Sequence, residues 1–164
     1  KIEKRCSMVS SNSIIVTREK APAKKQAIVR EVLADLPEWF GLPASTQEYI
    51  DAAAALPLWV AKQDDQVIGF VDFDKTSQAT GEINCMGVKK AYHHKGVGRQ
   101  LFQALAAFAR QHAHYLQVKT VDEGHYPEYD RTIRFYEAMG FERLEVFPQL
   151  WDAWNPCLVL VKKL

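Results

Sequence analysis

The spacing of apolar residues in the first part of the chain predicts a strand followed by two helices. Residues 13–17 form a short segment rich in β-branched side chains, which is typical of a strand. Apolar side chains then recur at the spacing of one helix face: Ile28, Val32, Leu36. Pro37 is expected to close this helix, because proline cannot continue it. Ser45 and Glu48 have the spacing of a capping box, which predicts a second helix ending at about Ala55.

The rest of the chain predicts more strands and two more helices. The strand-like segments are Leu58–Lys62, Val67–Asp74, Gly81–Val88, Leu116–Val121, Phe141–Phe147 and Cys157–Lys163. The polar residues 63–66 predict a hairpin between the first two. One helix is predicted after Gly96-Val97-Gly98, and another from about Asp130 to Met139 with Gly140 as its C-terminal cap. This order predicts one α+β domain over residues 1–164, with a mostly antiparallel first half and crossover connections in the second.

Composition and charge exclude several classes of protein. The chain has 164 residues, of which 48% are hydrophobic and 25% charged, as in an ordinary globular domain. The net charge of +1 is too small for a protein whose whole surface binds nucleic acid or anionic lipid. No apolar stretch approaches the roughly 20 residues of a membrane span, and residues 1–20 lack the apolar block of a signal peptide. We therefore expect a cytoplasmic protein with no membrane and no nucleic-acid partner.

The cysteines give no indication of a disulfide framework or a metal site. Cys6, Cys85 and Cys157 are an odd number and are widely spaced. We therefore expect free, buried thiols and no bound metal.

Candidate chemistry concentrates in residues 88–101, where a strand end and a basic loop lead into a helix through two glycines. Glycines let the backbone approach a ligand, and the first amides of a helix are free donors, so this loop predicts an anion site. Cationic side chains surround it: Lys89, Lys90, Lys95 and Arg99. The motif of nucleoside-triphosphate loops is absent, and Leu101 replaces the third glycine of the dinucleotide fingerprint.

Three segments resemble the GNAT superfamily of N-acetyltransferases: Glu82–Val88, His93–Gly98 and Arg131–Phe141. The element order of the whole chain also fits that family. The resemblance implies the GNAT fold, a central, twisted, mostly antiparallel sheet flanked by helices, and acetyl-CoA as co-substrate. It places the cofactor on the end of the predicted strand Gly81–Val88 and on residues 93–99, which we call the glycine loop. The residues are Met86, Gly87, Val88, His93, His94, Lys95, Gly96, Val97, Gly98 and Arg99.

The loop departs from the family pattern at two positions. His93 replaces the usual Gln or Arg, which removes one expected side-chain contact with phosphate, and His94 stands where glycine is common. The backbone amides that bind the pyrophosphate in this family do not depend on those side chains.

The resemblance also implies catalytic roles. Tyr136 matches the helix tyrosine that protonates the departing thiolate, and a phenol, with a reference pKa of about 10, is protonated at neutral pH. Glu82 is the leading general base, because relatives use a glutamate on this strand. Side chains alternate along a strand, so we expect Glu82 to share one face with Asn84, Met86 and Val88. Competing bases follow the next strand: Asp122, Glu123 and His125.

Loops rich in aromatic and acidic residues are the expected acceptor site. The candidate substrate-binding residues are Trp39, Phe40, Asp122, Glu123, His125 and Tyr126. Tryptophans are also expected in a late loop, at positions 151 and 154. Aromatic rings beside carboxylates suit a cationic amine that carries an apolar body.

The sequence therefore predicts an N-acetyltransferase that moves the acetyl group of acetyl-CoA to a small-molecule primary amine by direct attack in a ternary complex. Three alternatives stay open: a protein or peptide acceptor, a non-catalytic acyl-CoA-binding domain, and an enzyme acting on aminoacyl-tRNA. Pairing of family members through late strands suggests a homodimer.

Overall fold

A seven-stranded sheet forms the centre of the structure. The computed structural model describes residues 13–164. The strands are β1 (Ile15–Glu19), β2 (Leu58–Gln63), β3 (Gln66–Lys75), β4 (Thr80–Val88), β5 (Tyr115–Val121), β6 (Glu142–Asp152) and β7 (Asn155–Lys163). Their order across the sheet is β1-β2-β3-β4-β5-β7-β6, and every neighbouring pair is antiparallel except β4 and β5, which are parallel. The mixed, mostly antiparallel sheet confirms the predicted fold class.

Four helices cover the two faces of the sheet: α1 (Pro22–Ala34), α2 (Pro43–Ala53), α3 (Val97–Ala109) and α4 (Pro127–Ala138). One core lies beneath α1 and α2 and includes Val32, Ile50 and Phe70. The other lies beneath α3 and α4 and includes Leu105 and Ile133. Alternate residues of the central strands enter opposite cores, as expected for a sheet that is covered on both faces.

The predicted capping box is wrong. Helix α2 begins at Pro43 with Leu42 as its N-cap, and no side chain caps it, so Ser45 lies inside the first turn. Proline fits the first helical position because its φ is already helical and it has no N–H to satisfy there. The same effect starts α4 at Pro127, three residues before the predicted Asp130.

The last hairpin is longer than predicted. Strand β6 continues past Phe147 to Asp152, and pairing with β7 resumes at Asn155. The Asp152 carboxylate accepts hydrogen bonds from the backbone N–H groups of Trp154 and Asn155, which closes the turn. Trp151 therefore lies in a strand and Trp154 in the turn, whereas the sequence placed both in a loop.

Two other local predictions are confirmed. Residues 63–66 form the hairpin between β2 and β3, and its central residues Asp64 and Asp65 have φ values of 51° and 62°, as in a tight turn of the mirror-image type. Cys85 and Cys157 are free and buried, whereas Cys6 lies outside the described residues. No helix between residues 13 and 164 is long and apolar enough to cross a bilayer.

Strand β6 is an edge of the sheet and is exposed over most of its length. It pairs only with β7 within the described part of the chain. Its hairpin exposes large apolar side chains: Leu144, Phe147, Leu150, Trp151 and Trp154. An exposed edge of this kind is a surface on which a second strand can pair. The homodimer expected from the family would use this edge, and it stays a prediction.

The parallel pair at the centre of the sheet opens partway along. Strands β4 and β5 are paired only from Thr80 to Glu82, opposite Tyr115 to Gln117. Beyond Glu82, β4 continues beside β3 while β5 continues beside β7. We call the gap between residues 83–88 of β4 and residues 118–121 of β5 the β4–β5 opening. It joins the two faces of the sheet at its centre.

Candidate active site

A bulge in β4 decides which side chains face each side of the opening. Asp72 of β3 is opposite Cys85, but the next residue, Phe73, is opposite Ile83, so Asn84 is the extra residue of the bulge. Ile83 accordingly packs in the core of α3 and α4, whereas Cys85 packs in that of α1 and α2.

The bulge corrects the expectation that Glu82, Asn84, Met86 and Val88 share one face. Met86 and Val88 pack toward α3 and α4, on the same side as Ile83. Glu82 precedes the bulge and points the other way from Ile83, toward α1 and α2. The simple alternation of side chains fails because the bulge adds one residue between them. Glu82 and Met86 thus lie on opposite faces of the sheet.

Glu82 is a largely buried carboxylate with one cationic partner. Its side chain is 13% exposed, and its Oε1 lies 3.3 Å from Nζ of Lys119 on β5. Burial raises the pKa of Glu82, while Lys119 opposes that shift. A carboxylate with a raised pKa is a better proton acceptor near neutral pH, as a general base requires.

Tyr136 is buried in α4, on the face of the sheet opposite α1 and α2. The residue is 5% exposed and belongs to the core of α3 and α4. Burial raises the pKa of Tyr136, and Cys85 and Tyr49 raise it further. Both of these residues belong to the α1 and α2 side of the sheet. The proton of Tyr136 stays on the oxygen at neutral pH.

The glycine loop has the backbone shape of an anion site. His94 and Gly96 have φ values of 60° and 79°, so His94 adopts the left-handed conformation that explains why glycine is common at this position. Helix α3 begins at Val97 without a side-chain cap, which leaves its first amides free. A Cβ on Gly98 would lie 3.0 Å from the Phe135 ring, so this glycine allows α3 and α4 to approach closely.

The basic side chains near the loop are not equivalent. Lys89 pairs with Glu31 at 2.7 Å and Lys90 with Glu38 at 2.9 Å, so both are already neutralised by acidic residues of α1 and the loop that follows it. Lys95 lies over the Tyr92 ring. Arg99 is exposed in the first turn of α3. These two, rather than all four cations, are left to meet a phosphate.

His93 is turned away from the loop. Its Nε2–H donates to the Val88 carbonyl at 2.6 Å. Its ring meets the edge of Trp39, with 5.8 Å between the centroids. The structure thus gives His93 a structural contact in place of the phosphate contact made by the usual Gln or Arg.

The loop between α1 and α2 is fastened to α4 through Trp39. The indole N–H donates to the Glu128 carbonyl at 3.2 Å, and the Tyr129 hydroxyl donates to the Trp39 carbonyl at 2.7 Å. Phe40 packs edge-on against Tyr49 of α2 at 5.8 Å. We call this connection the Trp39 bridge. It spans the α1 and α2 side of the site.

The remaining acceptor candidates make other contacts. Glu123 is exposed and pairs with Arg143 at 2.8 Å. His125 bonds through Nδ1 to the carbonyls of Asp122 and Glu123. Tyr126 is the N-cap of α4, and its ring packs against Tyr129, which is part of the Trp39 bridge. Trp39, Phe40 and Tyr126 thus belong to one connected group, while Glu123 and His125 make contacts on the exposed surface.

Sequence reasoning missed two residues of the site. Asp72 is fully buried in β3, and its Oδ2 atom has no hydrogen-bond partner. Tyr49 is half-buried in α2, and burial raises its pKa. In the sequence, Asp72 lies within the apolar run from Val67 to Phe73. That position could have indicated a residue with a special role, because charged side chains are rarely buried without a reason.

Comparison with known proteins identifies the family. The model of the acetyltransferase (GNAT) domain matches residues 55–143, more than half of the chain. The chain belongs to the GNAT family of acetyltransferases.

Two curated relatives are similar over parts of their length. N-alpha-acetyltransferase RimI of Mycobacterium tuberculosis is 35% identical over 63 residues, which are 38% of this chain and 35% of that protein. An uncharacterized protein of Mycobacterium leprae is 31% identical over 106 residues, which are 63% of this chain and 28% of that protein. The matches thus span about a third of these relatives.

Solved structures share the fold across nearly the whole chain. A GNAT-family protein from Desulfovibrio desulfuricans has a TM-score of 0.77 at 21% identity and covers 92% of this chain and 99% of its own. A GNAT family acetyltransferase from Elizabethkingia anophelis, solved with acetyl-CoA bound, has a TM-score of 0.66 at 17% identity and covers 92% and 98%.

Proposed function

We propose that the protein transfers the acetyl group of acetyl-CoA to the primary amine of a small molecule by direct attack. The observation that carries this proposal is the β4–β5 opening, with a buried phenol on the α3 and α4 side of the sheet and a buried carboxylate on the α1 and α2 side. Tyr136 and Glu82 are the two groups. An acid and a base on opposite sides of one gap suit a reaction in which one proton leaves the amine and another reaches the thiolate.

The residues around the opening fit acetyl-CoA. The free amides at the start of α3 suit a pyrophosphate, and the loop residue Gly96 leaves open space where a Cβ would be. Thr120, on the β5 side of the opening, has a buried hydroxyl without a partner among the described residues. That hydroxyl is available to the amide-rich arm of the co-substrate. When bound, acetyl-CoA supplies an acetyl group activated as a thioester.

The chain's own residues then divide the proton transfers. Glu82 takes a proton from the amine as its nitrogen bonds to the acetyl carbon. A backbone N–H near Met86 stabilises the charge that develops on the carbonyl oxygen. Tyr136 gives its proton to sulfur as the carbon–sulfur bond breaks. The products are the acetylated amine and the free thiol of CoA.

The Trp39 bridge favours a small acceptor over a polypeptide. Its two hydrogen bonds join residues 89 and 90 positions apart in sequence and close the space between the α1–α2 loop and α4. A polypeptide needs a groove that is open at both ends, whereas a closed pocket suits a small molecule. Phe40, Tyr49 and Tyr129 would contact the apolar body of a cationic amine.

A peptide acceptor is the second candidate, because one curated relative is named an N-alpha-acetyltransferase. Release of CoA thiol from acetyl-CoA, followed over aromatic and aliphatic amines and over peptides with free N-termini, separates the two. We expect kcat/KM for the best small amine to exceed that for the best peptide by at least about tenfold. The reverse ranking would favour the peptide acceptor, and tight acetyl-CoA binding with no acceptor turned over would favour a non-catalytic domain.

Replacing the proposed acid should separate chemistry from binding. We expect Tyr136→Phe to lower kcat by about tenfold or more, because the thiolate loses its proton donor, while the Kd for acetyl-CoA changes by less than about threefold. Steady-state kinetics and calorimetric titration measure the two quantities. Tyr115→Phe, at the exposed start of β5, is the matched control and should leave both unchanged. Wild-type turnover in Tyr136→Phe would remove the acid role.

Replacing the proposed base should change the pH dependence. Glu82 accepts a proton only when ionised, so wild-type kcat should fall as the pH drops below its raised pKa. We expect Glu82→Gln to lower kcat near neutral pH by about a hundredfold. The acid limb set by Glu82 should be replaced by one at higher pH and the pH optimum should move upward, because the amine must then lose its proton without help.

Lys119 provides the control for this pH experiment. It lowers the pKa of Glu82, so Lys119→Met should keep the acid limb and move it to higher pH. An unchanged pH–rate profile in Glu82→Gln would assign the base role to another group.

A further inference from the structure

Asp72 is a carboxylate in a place where burial is costly. It lies in the middle of β3 with no exposed surface, beneath α1 and α2 beside apolar neighbours such as Phe70 and Leu58. Burial raises the pKa of Asp72 to about 7. A charged group in such surroundings destabilises the fold unless it satisfies polar groups that would otherwise be unpaired.

The contacts of Asp72 show which groups it satisfies. Its Oδ1 accepts a hydrogen bond from the backbone N–H of Cys85 at 2.8 Å and one from the side-chain amide of Asn84 at 3.4 Å. Asn84 is the extra residue of the β4 bulge. A bulge disrupts the ladder and leaves a backbone group without a strand partner. The Asp72 side chain takes the place of that partner.

The other charges near Asp72 do not form an ion pair with it. Lys25 of α1 is buried, and its ammonium donates to the Leu56 carbonyl at 2.7 Å. Asp74 lies two residues along β3 on the same face and is opposite Glu82. Among the described residues, no ion pair within 4.0 Å joins Lys25 to the Asp72 carboxylate. Its specific partners are therefore the two bulge residues.

The position of the bulge sets the geometry of the reaction. It places Glu82 on the side of α1 and α2 and Met86 on the side of α3 and α4. If β4 paired with β3 as a regular ladder without the bulge, the side chains of Glu82 and Met86 would lie on the same face of the sheet.

We infer that Asp72 is a positioning residue for acetyl transfer: its carboxylate fixes the β4 bulge, and the bulge keeps the base Glu82 on the opposite face of the sheet from the side chains of Met86 and Val88. This inference rests on the proposed function for its catalytic consequence. The link between Asp72 and the bulge is structural and can be measured without a substrate.

Two substitutions separate the hydrogen bond from the charge. Asp72→Asn keeps an oxygen that accepts the Cys85 N–H, so we expect kcat within about threefold of the wild type. Asp72→Val keeps the size but removes the acceptor, so we expect kcat to fall by about tenfold or more while the Kd for CoA stays within about threefold. Asp65→Asn is the control, because it removes a carboxylate from the exposed turn between β2 and β3 without touching the bulge or Glu82.

Equal losses in Asp72→Asn and Asp72→Val would overturn the inference in favour of a role for the charge itself. A loss of kcat in Asp65→Asn equal to that in Asp72→Val would do the same. Wild-type kcat in a folded Asp72→Val variant would show that the bulge needs no support. If Asp72→Val does not fold, Asp72→Ser, whose shorter side chain does not reach the Cys85 amide, replaces it.

Amide hydrogen exchange tests the bulge directly and does not depend on activity. We expect the Cys85 amide to be protected in the wild type and in Asp72→Asn, and to exchange at least about tenfold faster in Asp72→Val. Equal protection in all three proteins would overturn the inference. If no amine is acetylated by the wild type but this exchange pattern is found, the proposed function fails while the role of Asp72 in the bulge stands.

Discussion

The limited pairing between β4 and β5 is the constraint on which the site depends. Only three residue pairs join these parallel strands, and the sheet is open beyond Glu82. Strand β3 holds one side of the opening and β7 holds the other, so the gap does not require either strand to be unpaired along its whole length. A sheet with helices on both faces can thus present a buried acid and a buried base to the same small space.

Burial is what tunes the two proposed proton-transfer groups. It raises the pKa of Tyr136, which keeps the phenol protonated, and it raises the pKa of Glu82, which strengthens the carboxylate as a base. Lys119 limits the second shift. The bulge held by Asp72 keeps the base on its own face. Packing, electrostatics and backbone geometry therefore act on the same few atoms.

The sequence predicted the element order and the glycine loop, because these depend on local spacing and on backbone needs that particular residues reveal. Prediction from the sequence failed where contacts between residues far apart in the chain determine the local structure. The ion pair of Lys89 with Glu31 of α1, far away in sequence, was not predicted. The alternation along β4 failed at Asn84, because a bulge depends on a partner strand. The length of β6 was underestimated because the strand continues through an irregular stretch after Phe147 to a last pair between Asp152 and Asn155.

Calorimetric titration of the purified protein with acetyl-CoA is the most direct test, with CoA, NADH and ATP as comparison ligands. We expect Kd values in the micromolar range for acetyl-CoA and CoA, tighter for the acetylated form, and much weaker binding of NADH and ATP. Binding uses the opening and the free amides of α3, both of which a folded protein presents without an acceptor. If folded protein bound neither form of CoA, the loop from Gly96 to Gly98 would be only a turn, and the proposed function would be contradicted.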